Sequence, residues 1–219
     1  GTMTVSNGGK HIVLDMTGEN NIRIQGEYDG LTGIGNYVDN SNAPTDFCHI
    51  DSDITLDFPG KAVALDYNLG DYIIEGINAH LVMFTDPAMK TGDYLALEVL
   101  CEGEQLANGV YTINNALENY SGIKGMIDFG GNTVFSWYGD LDSADSEGYQ
   151  TVLGPVWGGT MTVTGEGSNR VFTFDLTASN GKKITGTYTG LLNHASEQES
   201  VRARQHQRIP AMKIRVVRK

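Results

Sequence analysis

One loop of the sequence carries enough oxygen-bearing side chains to bind a hard divalent cation. Its acidic residues are Asp140, Asp142, Asp145 and Glu147. Ca²⁺ prefers several oxygen ligands, so the composition of this loop suits calcium. The regular one-three-five spacing is broken because Ala144 occupies the fifth place. The loop is therefore compatible with a calcium site or with a solvated turn, and both interpretations also hold for the acidic stretch with Asp46, Asp51 and Asp53.

Three aromatic side chains, Trp137, Tyr138 and Trp157, could form a platform that stacks against a sugar ring. Trp137 and Tyr138 are neighbours in a strand-like run, and successive strand residues point to opposite faces. Only one of those two can then be exposed. Packing in the core is the competing use of each ring. We name these three as the candidate ligand-binding residues.

No set of residues in the sequence matches a catalytic pattern. None of the five histidines belongs to an HExxH helix or a spaced zinc pair, and there is no GxSxG elbow. Cys48 and His49 are adjacent in sequence, but a thiolate–imidazole pair depends on spatial geometry. Glu98 and Glu102 would share one face of a strand, which is typical of a solvated surface. We predict no catalytic residue, no enzyme activity and no cofactor besides the calcium considered above.

The chain has two cysteines, Cys48 and Cys101. Two are too few for a disulfide framework or a cysteine zinc site. The sequence does not decide whether they form a single bridge.

The elements that must position these residues include a pattern that occurs twice. Residues 1–30 and residues 159–190 both begin with GTMTV and both end in Ile-x-Gly-x-Tyr-x-Gly. The starts lie 158 positions apart and the ends 160 apart, so the second copy gains two residues, which fall in a glycine-rich turn. Apolar and polar residues alternate within each copy, as in half-buried strands, and Asn/Gly clusters separate the runs. Each copy is predicted to be a three-stranded antiparallel meander.

Between the two copies the sequence predicts further short strands. The strand-like runs are Ile54–Phe58, Ala62–Tyr67, Tyr72–Glu75, His80–Phe84, Tyr94–Cys101, Val110–Ile113, Gly125–Phe129 and Thr133–Tyr138. The stretch from Tyr94 to Leu106 would tolerate a helix, but its apolar alternation favours a strand. We predict one all-β domain over residues 1–190, in which the meanders and the central strands 54–138 form a β-sandwich or a closed β-barrel. The first meander is expected to pack against the central strands, since an isolated meander cannot bury its apolar face.

Charge is distributed unevenly along the chain. Residues 1–190 hold 8 Lys/Arg and 25 Asp/Glu, whereas residues 191–219 hold 7 Lys/Arg and 2 Glu. The acidic body would repel nucleic acid, so no nucleic-acid partner is expected. No apolar stretch is long enough for a membrane span. The basic segment 191–219, which lacks glycine and aromatic residues, is predicted to be a tail outside the domain.

Several motifs resemble those of a known group of proteins. The run GTMTV…VFTFDLT…GKKITGTYTG at residues 159–190, the Gly109-Val110-Tyr111-Thr112 element and the Ser136-Trp137-Tyr138 element resemble β-rich repeat modules of secreted surface lipoproteins from gut anaerobes. That resemblance implies an exported, all-β protein at the cell surface or in the periplasm. It implies no catalytic residues, and the basic tail departs from the pattern.

The expected function follows mainly from this resemblance. We expect a non-enzymatic surface protein for cell adhesion or glycan binding, with a glycan or a host or cell-surface protein as its partner. The alternative is a lipocalin-like carrier, in which closed meanders enclose a small apolar ligand. A hydrolase is the third hypothesis, and the absence of a catalytic constellation disfavours it.

Overall fold

The computed structural model describes residues 2–6, 11–17, 23–29, 44–58, 60, 62–128 and 132–195. The chain divides into two compact units, Gly1–Tyr37 and Val38–Lys219, which are treated separately below. The packing of the first meander against the central strands, and hence a single domain over residues 1–190, stays a prediction.

The first unit contains three antiparallel strands in the order β1-β2-β3. Their bounds are Thr2–Ser6 for β1, His11–Thr17 for β2 and Arg23–Asp29 for β3. Met3 lies opposite Leu14, and Leu14 lies opposite Gly26. The predicted meander is therefore present, with one register running across all three strands.

The second unit is made of thirteen described strands. They are β4 (Ile54–Thr55), β5 (Val63–Ile74), β6 (Ile77–Thr85), β7 (Asp93–Cys101), β8 (Gly109–Ile113), β9 (Ser121–Ile123), β10 (Met126–Ile127), β11 (Thr133–Val134), β12 (Trp137–Asp140), β13 (Leu153–Thr164), β14 (Arg170–Ala178), β15 (Lys183–Gly190) and β16 (Leu192–His194). Three short 3₁₀ helices are also described, at Thr45–Phe47, Leu141–Ser143 and Gly167–Asn169. The protein is all-β, as its sequence predicts.

Strands β13, β14 and β15 form the second meander in the same register as the first. Met161 lies opposite Phe174, and Phe174 lies opposite Gly186. These three positions are Met3, Leu14 and Gly26 shifted by the 158 or 160 residues that separate the two sequence copies. The repeat in sequence is thus a repeat of strand pairing.

Five strands close on themselves as a barrel. The ring runs from β7 to β9, β8, β13 and β12 and returns to β7. Strand β13 can pair with β12 in its first part and with β8 in its second part because a bulge between Val156 and Gly158 bends it. Gly159 follows this bulge with a φ of +92°, a conformation that glycine adopts without steric cost.

Further strands extend the barrel on both sides. Strands β6 and β5 continue from β7, and β14 and β15 continue from β13. Strand β16 pairs in parallel with β5, and β4 pairs in parallel with β15. Because β16 is paired within the sheet, the ordered body extends beyond residue 190. The rest of the predicted tail, residues 196–219, lies outside the described residues.

One predicted turn is part of a strand. The segment Asn68-Leu69-Gly70-Asp71 was expected to separate two strands, yet β5 runs through it with bulges after Asn68 and Gly70. Gly70 has a φ of +75°, and the backbone amide of Gly70 donates a hydrogen bond to Asn68 Oδ1 at 2.8 Å. These residue types, which usually close hairpins, here make a bulge. Strand β7 is extended, as the apolar alternation of Tyr94–Cys101 predicts.

Aromatic rings fill the space between the two extensions of the barrel. Phe84 on β6 lies 5.0 Å from Phe172, 4.9 Å from Phe174 and 5.5 Å from Tyr188, measured between ring centroids. Phe58 lies 5.8 Å from Phe84. We name Phe58, Phe84, Phe172, Phe174 and Tyr188 the aromatic cluster. In the described part of the chain, no helix is long and apolar enough to cross a membrane.

Candidate functional site

Two of the three aromatic residues named from the sequence are buried. Trp137 has no exposed surface, and its indole Nε1 donates to the carbonyl oxygen of Val134 at 2.9 Å. Tyr138 is 2% exposed, and its hydroxyl donates to Asp93 Oδ1 at 2.7 Å. Both lie on β12, which is paired on each edge and packed on each face inside the barrel. Neither ring is exposed, so core packing accounts for both side chains, and a ligand role for either stays a prediction.

Trp157 is half-buried on β13. The Nζ atom of Lys124 lies 4.8 Å from the centroid of its ring, a cation–π contact that covers one face. Burial lowers the pKa of Lys124. A ligand role for Trp157 stays a prediction, and one face of the ring is already in use.

The predicted calcium loop directs its carboxylates to the backbone. Asp140 Oδ1 accepts from the Asp142 amide at 2.9 Å, and Asp142 Oδ2 accepts from the Gly92 amide at 3.0 Å. Asp145 Oδ1 accepts from the amides of Glu147 and Tyr149. Nowhere among the described residues do three or more His, Cys, Asp or Glu side chains gather as a metal site. Asp140 and Asp145 thus stabilise turns within the loop, and calcium binding by the four residues stays a prediction.

Asp140 and Asp142 instead line a cavity of about 710 Å³, which we call the acidic cleft. The lining residues are Asp57, Phe58, Gly60, Ala62, Asp86, Thr91, Gly92, Asp93, Asp140 and Asp142. Half of these are aspartates, and none of the lining residues that the structure describes is lysine or arginine. Its volume falls in the range typical of small-molecule sites.

The acidic cleft lies where several strands begin or end. Asp57 follows β4, Asp86 follows β6, Asp93 begins β7 and Asp140 ends β12. Asp93 and Asp140 are paired across β7 and β12, and the Asp57 amide donates to Asp93 Oδ2 at 2.6 Å. The closure of the barrel thus collects aspartates from distant parts of the sequence at one place.

Asp93, at the start of β7, is only partly exposed. Burial raises its pKa, and the nearby Asp140 and Asp57 carboxylates raise it further. The hydrogen bonds from the Asp57 amide and the Tyr138 hydroxyl act in the opposite direction. The negative charges of these clustered carboxylates give the cleft a negative potential. That potential favours hydrogen-bond donors and positively charged groups.

A second polar cluster lies inside the protein, and we call it the Asp66 network. The carboxylate of Asp66 accepts from His80 Nδ1 at 2.9 Å and from His194 Nδ1 at 3.0 Å. The thiol of Cys101 interacts with His80, and its Sγ donates to the Gln105 carbonyl at 3.9 Å. Burial would lower the pKa of His80, but Asp66 and Cys101 outweigh it and raise the pKa to about 10. His80 is therefore an imidazolium at neutral pH.

Asp66, His80 and Cys101 bring together a carboxylate, an imidazole and a thiol, in the sequence of contacts that cysteine nucleophiles use in catalysis. The three residues are at most 1% exposed, however, and all three are enclosed by the core. His194 is the one member that reaches the surface. The geometry supports a structural clamp, because Asp66 joins β5 to β6 through His80 and to β16 through His194. Both Cys48 and Cys101 are free thiols.

Comparison with known proteins adds no second line of support. No protein-family model matches the chain, and no curated protein or solved structure matches it either. The choice of site therefore rests on the geometry described above. The sequence pointed to Asp140 and Asp142 but missed Asp57, which follows β4, and Asp86 and Asp93, which bound the connection between β6 and β7. All three residues lie at or next to a strand end, and this position was the one feature of the sequence that could have identified them.

Proposed function

We propose that this protein is a non-enzymatic, exported cell-surface protein that binds a glycan in the acidic cleft. The observation that carries the proposal is the cavity of about 710 Å³ at which strand ends bring together five aspartates and Phe58. The resemblance of its meander and its Gly109–Thr112 element to modules of surface lipoproteins supports the location outside the cell.

The chemistry of the cleft favours a ligand rich in hydroxyl groups. Ionised carboxylates only accept hydrogen bonds, and each can accept several from neighbouring hydroxyls. Phe58 supplies an apolar wall, which suits the carbon face of a sugar ring. An amino sugar would fit best, because its ammonium group is attracted by the same carboxylates. Sugars that carry carboxylates would be repelled.

An apolar carrier is the weaker alternative. Such a protein needs an open interior lined by aliphatic and aromatic side chains. The aromatic cluster occupies the space between the two extensions of the barrel, with centroid separations of 4.9–6.1 Å. Rings in mutual contact leave no room for a ligand between them, so this packing counts against a carrier.

The test is binding of defined oligosaccharides to the full chain and to Asp57→Asn/Asp86→Asn. Calorimetry with neutral, amino and uronic-acid oligosaccharides should give binding for the amino sugar, weaker binding for the neutral one and none for the uronic acid. Removal of two carboxylates should weaken amino-sugar binding at least tenfold, about 1.4 kcal/mol. The matched control is Asp175→Asn, an exposed aspartate on β14 that pairs with Lys183 outside the cleft.

Two results would overturn the proposal. One is that no oligosaccharide binds at millimolar concentration. The other is that the double variant binds as tightly as the unaltered chain.

A further inference from the structure

A second cavity lies beyond the opposite end of β7 from the acidic cleft. Asp93, which lines the cleft, begins β7, whereas Gln105, which lines the second cavity, comes shortly after the end of that strand. The turn between β13 and β14 and the strand β16 contribute other parts of its wall. Its volume of about 460 Å³ suits a small organic molecule. We call this cavity the Arg170 pocket.

Arg170 is held in a fixed position on the wall of this pocket. It begins β14, and its guanidinium carbon lies 6.0 Å from the centroid of the Phe172 ring. Its Nη2 atom donates to the Leu106 carbonyl at 2.6 Å and to Asn108 Oδ1 at 3.3 Å. Because the protein already orders this side chain, a ligand would not have to meet that entropic cost.

The described part of the protein leaves both the donors and the charge of Arg170 incompletely satisfied. A guanidinium carries five N–H donors, and the two hydrogen bonds above both use Nη2. Nε is buried and has no acceptor among the described residues. Arg170 also forms no ion pair with a described carboxylate. A carboxylate from a ligand would supply both the acceptor and the counter-charge.

The Arg170 pocket also contains a carboxylate, that of Glu166. Glu166 is exposed in the turn between β13 and β14, and it pairs with no cation in the part of the chain that the structure describes. The charged groups of Glu166 and Arg170 are thus farther apart than an ion pair allows, although they line the same cavity. A simple anion would be repelled by Glu166, whereas a molecule with one positive and one negative group matches both charges.

An aliphatic surface lies in the same pocket as these two charges. Leu191, just before β16, also lines the pocket and is 50% exposed. The ring of His194 is held by Asp66, with its Nδ1 atom 3.0 Å from Asp66 Oδ2. Asn108 Nδ2 donates to the Gly165 carbonyl at 3.1 Å and so joins two of the loops that form the wall. The pocket therefore combines two separated opposite charges with an apolar side chain.

We propose that the Arg170 pocket binds a free α-amino acid with an aliphatic side chain. The carboxylate of the ligand accepts hydrogen bonds from the Arg170 guanidinium, and its ammonium group donates to Glu166. The aliphatic side chain of the ligand packs against Leu191. This binding does not depend on the acidic cleft or on a glycan, since the two cavities have no described lining residue in common.

The probe is L-leucine, titrated into the full chain by isothermal calorimetry. Two further molecules each lack one of its charged groups: isocaproate has no ammonium group, and isoamylamine has no carboxylate. We expect leucine to bind, isocaproate to bind several-fold more weakly and isoamylamine not to bind. This order follows because the half-buried Arg170 needs a carboxylate, whereas the exposed Glu166 contributes less.

Two variants in the pocket test the role of each charge. Arg170→Gln should reduce leucine binding at least tenfold. Glu166→Gln should weaken the binding of leucine but not that of isocaproate, which has no ammonium group. Glu166 is exposed, so this second variant should keep the thermal transition and stays informative if Arg170→Gln does not fold.

Two further variants serve as controls. Lys183→Gln removes an exposed cation on β15 outside the pocket, and Asp57→Asn/Asp86→Asn alters the acidic cleft. Both should bind leucine as the unaltered chain does. Loss of glycan binding with leucine binding intact would therefore leave this proposal standing.

Four results would overturn the proposal. One is that leucine does not bind at millimolar concentration, and another is that isoamylamine binds as tightly as leucine. The third is a folded Arg170→Gln variant that binds leucine as tightly as the unaltered chain. The fourth is that Glu166→Gln leaves leucine binding unchanged.

Discussion

Asp66 is the residue on which the interior electrostatics of the second unit depend. Its carboxylate is 1% exposed and contacts two histidines on different strands. A buried carboxylate is strongly destabilising unless it is paired. Removal of the Asp66 carboxylate would leave the imidazolium of His80 without this counter-charge. Local sequence pattern does not predict this network, because Asp66, His80 and His194 are far apart in the chain. Only the pairing of β5 with β6 and β16 brings them together.

Asp66→Asn should destabilise the folded protein by about 3 kcal/mol at pH 6. The pKa of His80 is raised to about 10 from its ordinary 6.5, so the stabilisation from its charge is complete below pH 6.5 and is lost as the pH rises through 10. The cost of Asp66→Asn should therefore shrink as the pH approaches 10. Urea unfolding at pH 6 and pH 9.5 measures it, and an equal cost at both values would contradict this account. Asp175→Asn should have little effect at either pH, since its ion pair with Lys183 is exposed.

Glu98 gives a pH dependence of the same sign in a lower pH range. Burial raises its pKa from 4.5 to about 7, and the hydrogen bond from the Tyr72 hydroxyl only partly opposes this. The folded protein then holds a proton that the unfolded chain has lost, so stability falls as the pH rises from about 4.5 to about 7. Glu98→Gln keeps an acceptor for Tyr72 and removes the titration.

We therefore expect Glu98→Gln to raise stability at pH 8 by on the order of 2 kcal/mol and to change little at pH 4. Thermal unfolding followed by circular dichroism at the two pH values measures the difference. A variant that is equally or less stable at pH 8 would show that folding does not raise the pKa of Glu98. The sequence had suggested that Glu98 lies on a solvated strand face, whereas it is 5% exposed.

At the scale of strands, the two meanders show how much of the structure the alternation of apolar and polar residues predicts. The positions of the strands and their register followed from the repeat, since alternation fixes which residues share a face. Packing on both faces of a strand and bulges within a strand are features that alternation does not contain. Trp137 and Tyr138 belong to two different clusters of buried residues, so both faces of β12 are covered. The bulge at Gly70 kept β5 continuous where glycine and asparagine suggested a turn.

The glycines at equivalent positions provide a direct comparison between the meanders. Gly186→Val should destabilise the second unit by about 2 kcal/mol, because the new side chain must displace Leu56, which follows β4 beside β15. Gly26→Val should be neutral or slightly stabilising, since valine favours extended backbone and has space there. Differential scanning calorimetry of the two variants measures both effects. Equal destabilisation would mean that Gly26 is as tightly covered as Gly186.

At the scale of the whole molecule, the candidate site is a product of topology. Asp57, Asp86, Asp93 and Asp140 belong to three separate connections, and they meet because β7 and β12 are paired and β4 ends beside them. A single sequence shows that the chain is acidic, but it does not show where the acidic residues gather. All-β class and short-strand composition could be predicted from local pattern, whereas barrel closure and the position of the cleft are non-local.

The most direct test of the central claim is to map where a bound glycan protects the full chain. Hydrogen–deuterium exchange with and without an amino-sugar oligosaccharide should show added protection at residues 57–58, 86–93 and 140–142, which border the acidic cleft. The same protection should disappear in Asp57→Asn/Asp86→Asn and persist in Asp175→Asn. Protection centred on Trp157 and Lys124, with none at the three cleft segments, would contradict the account.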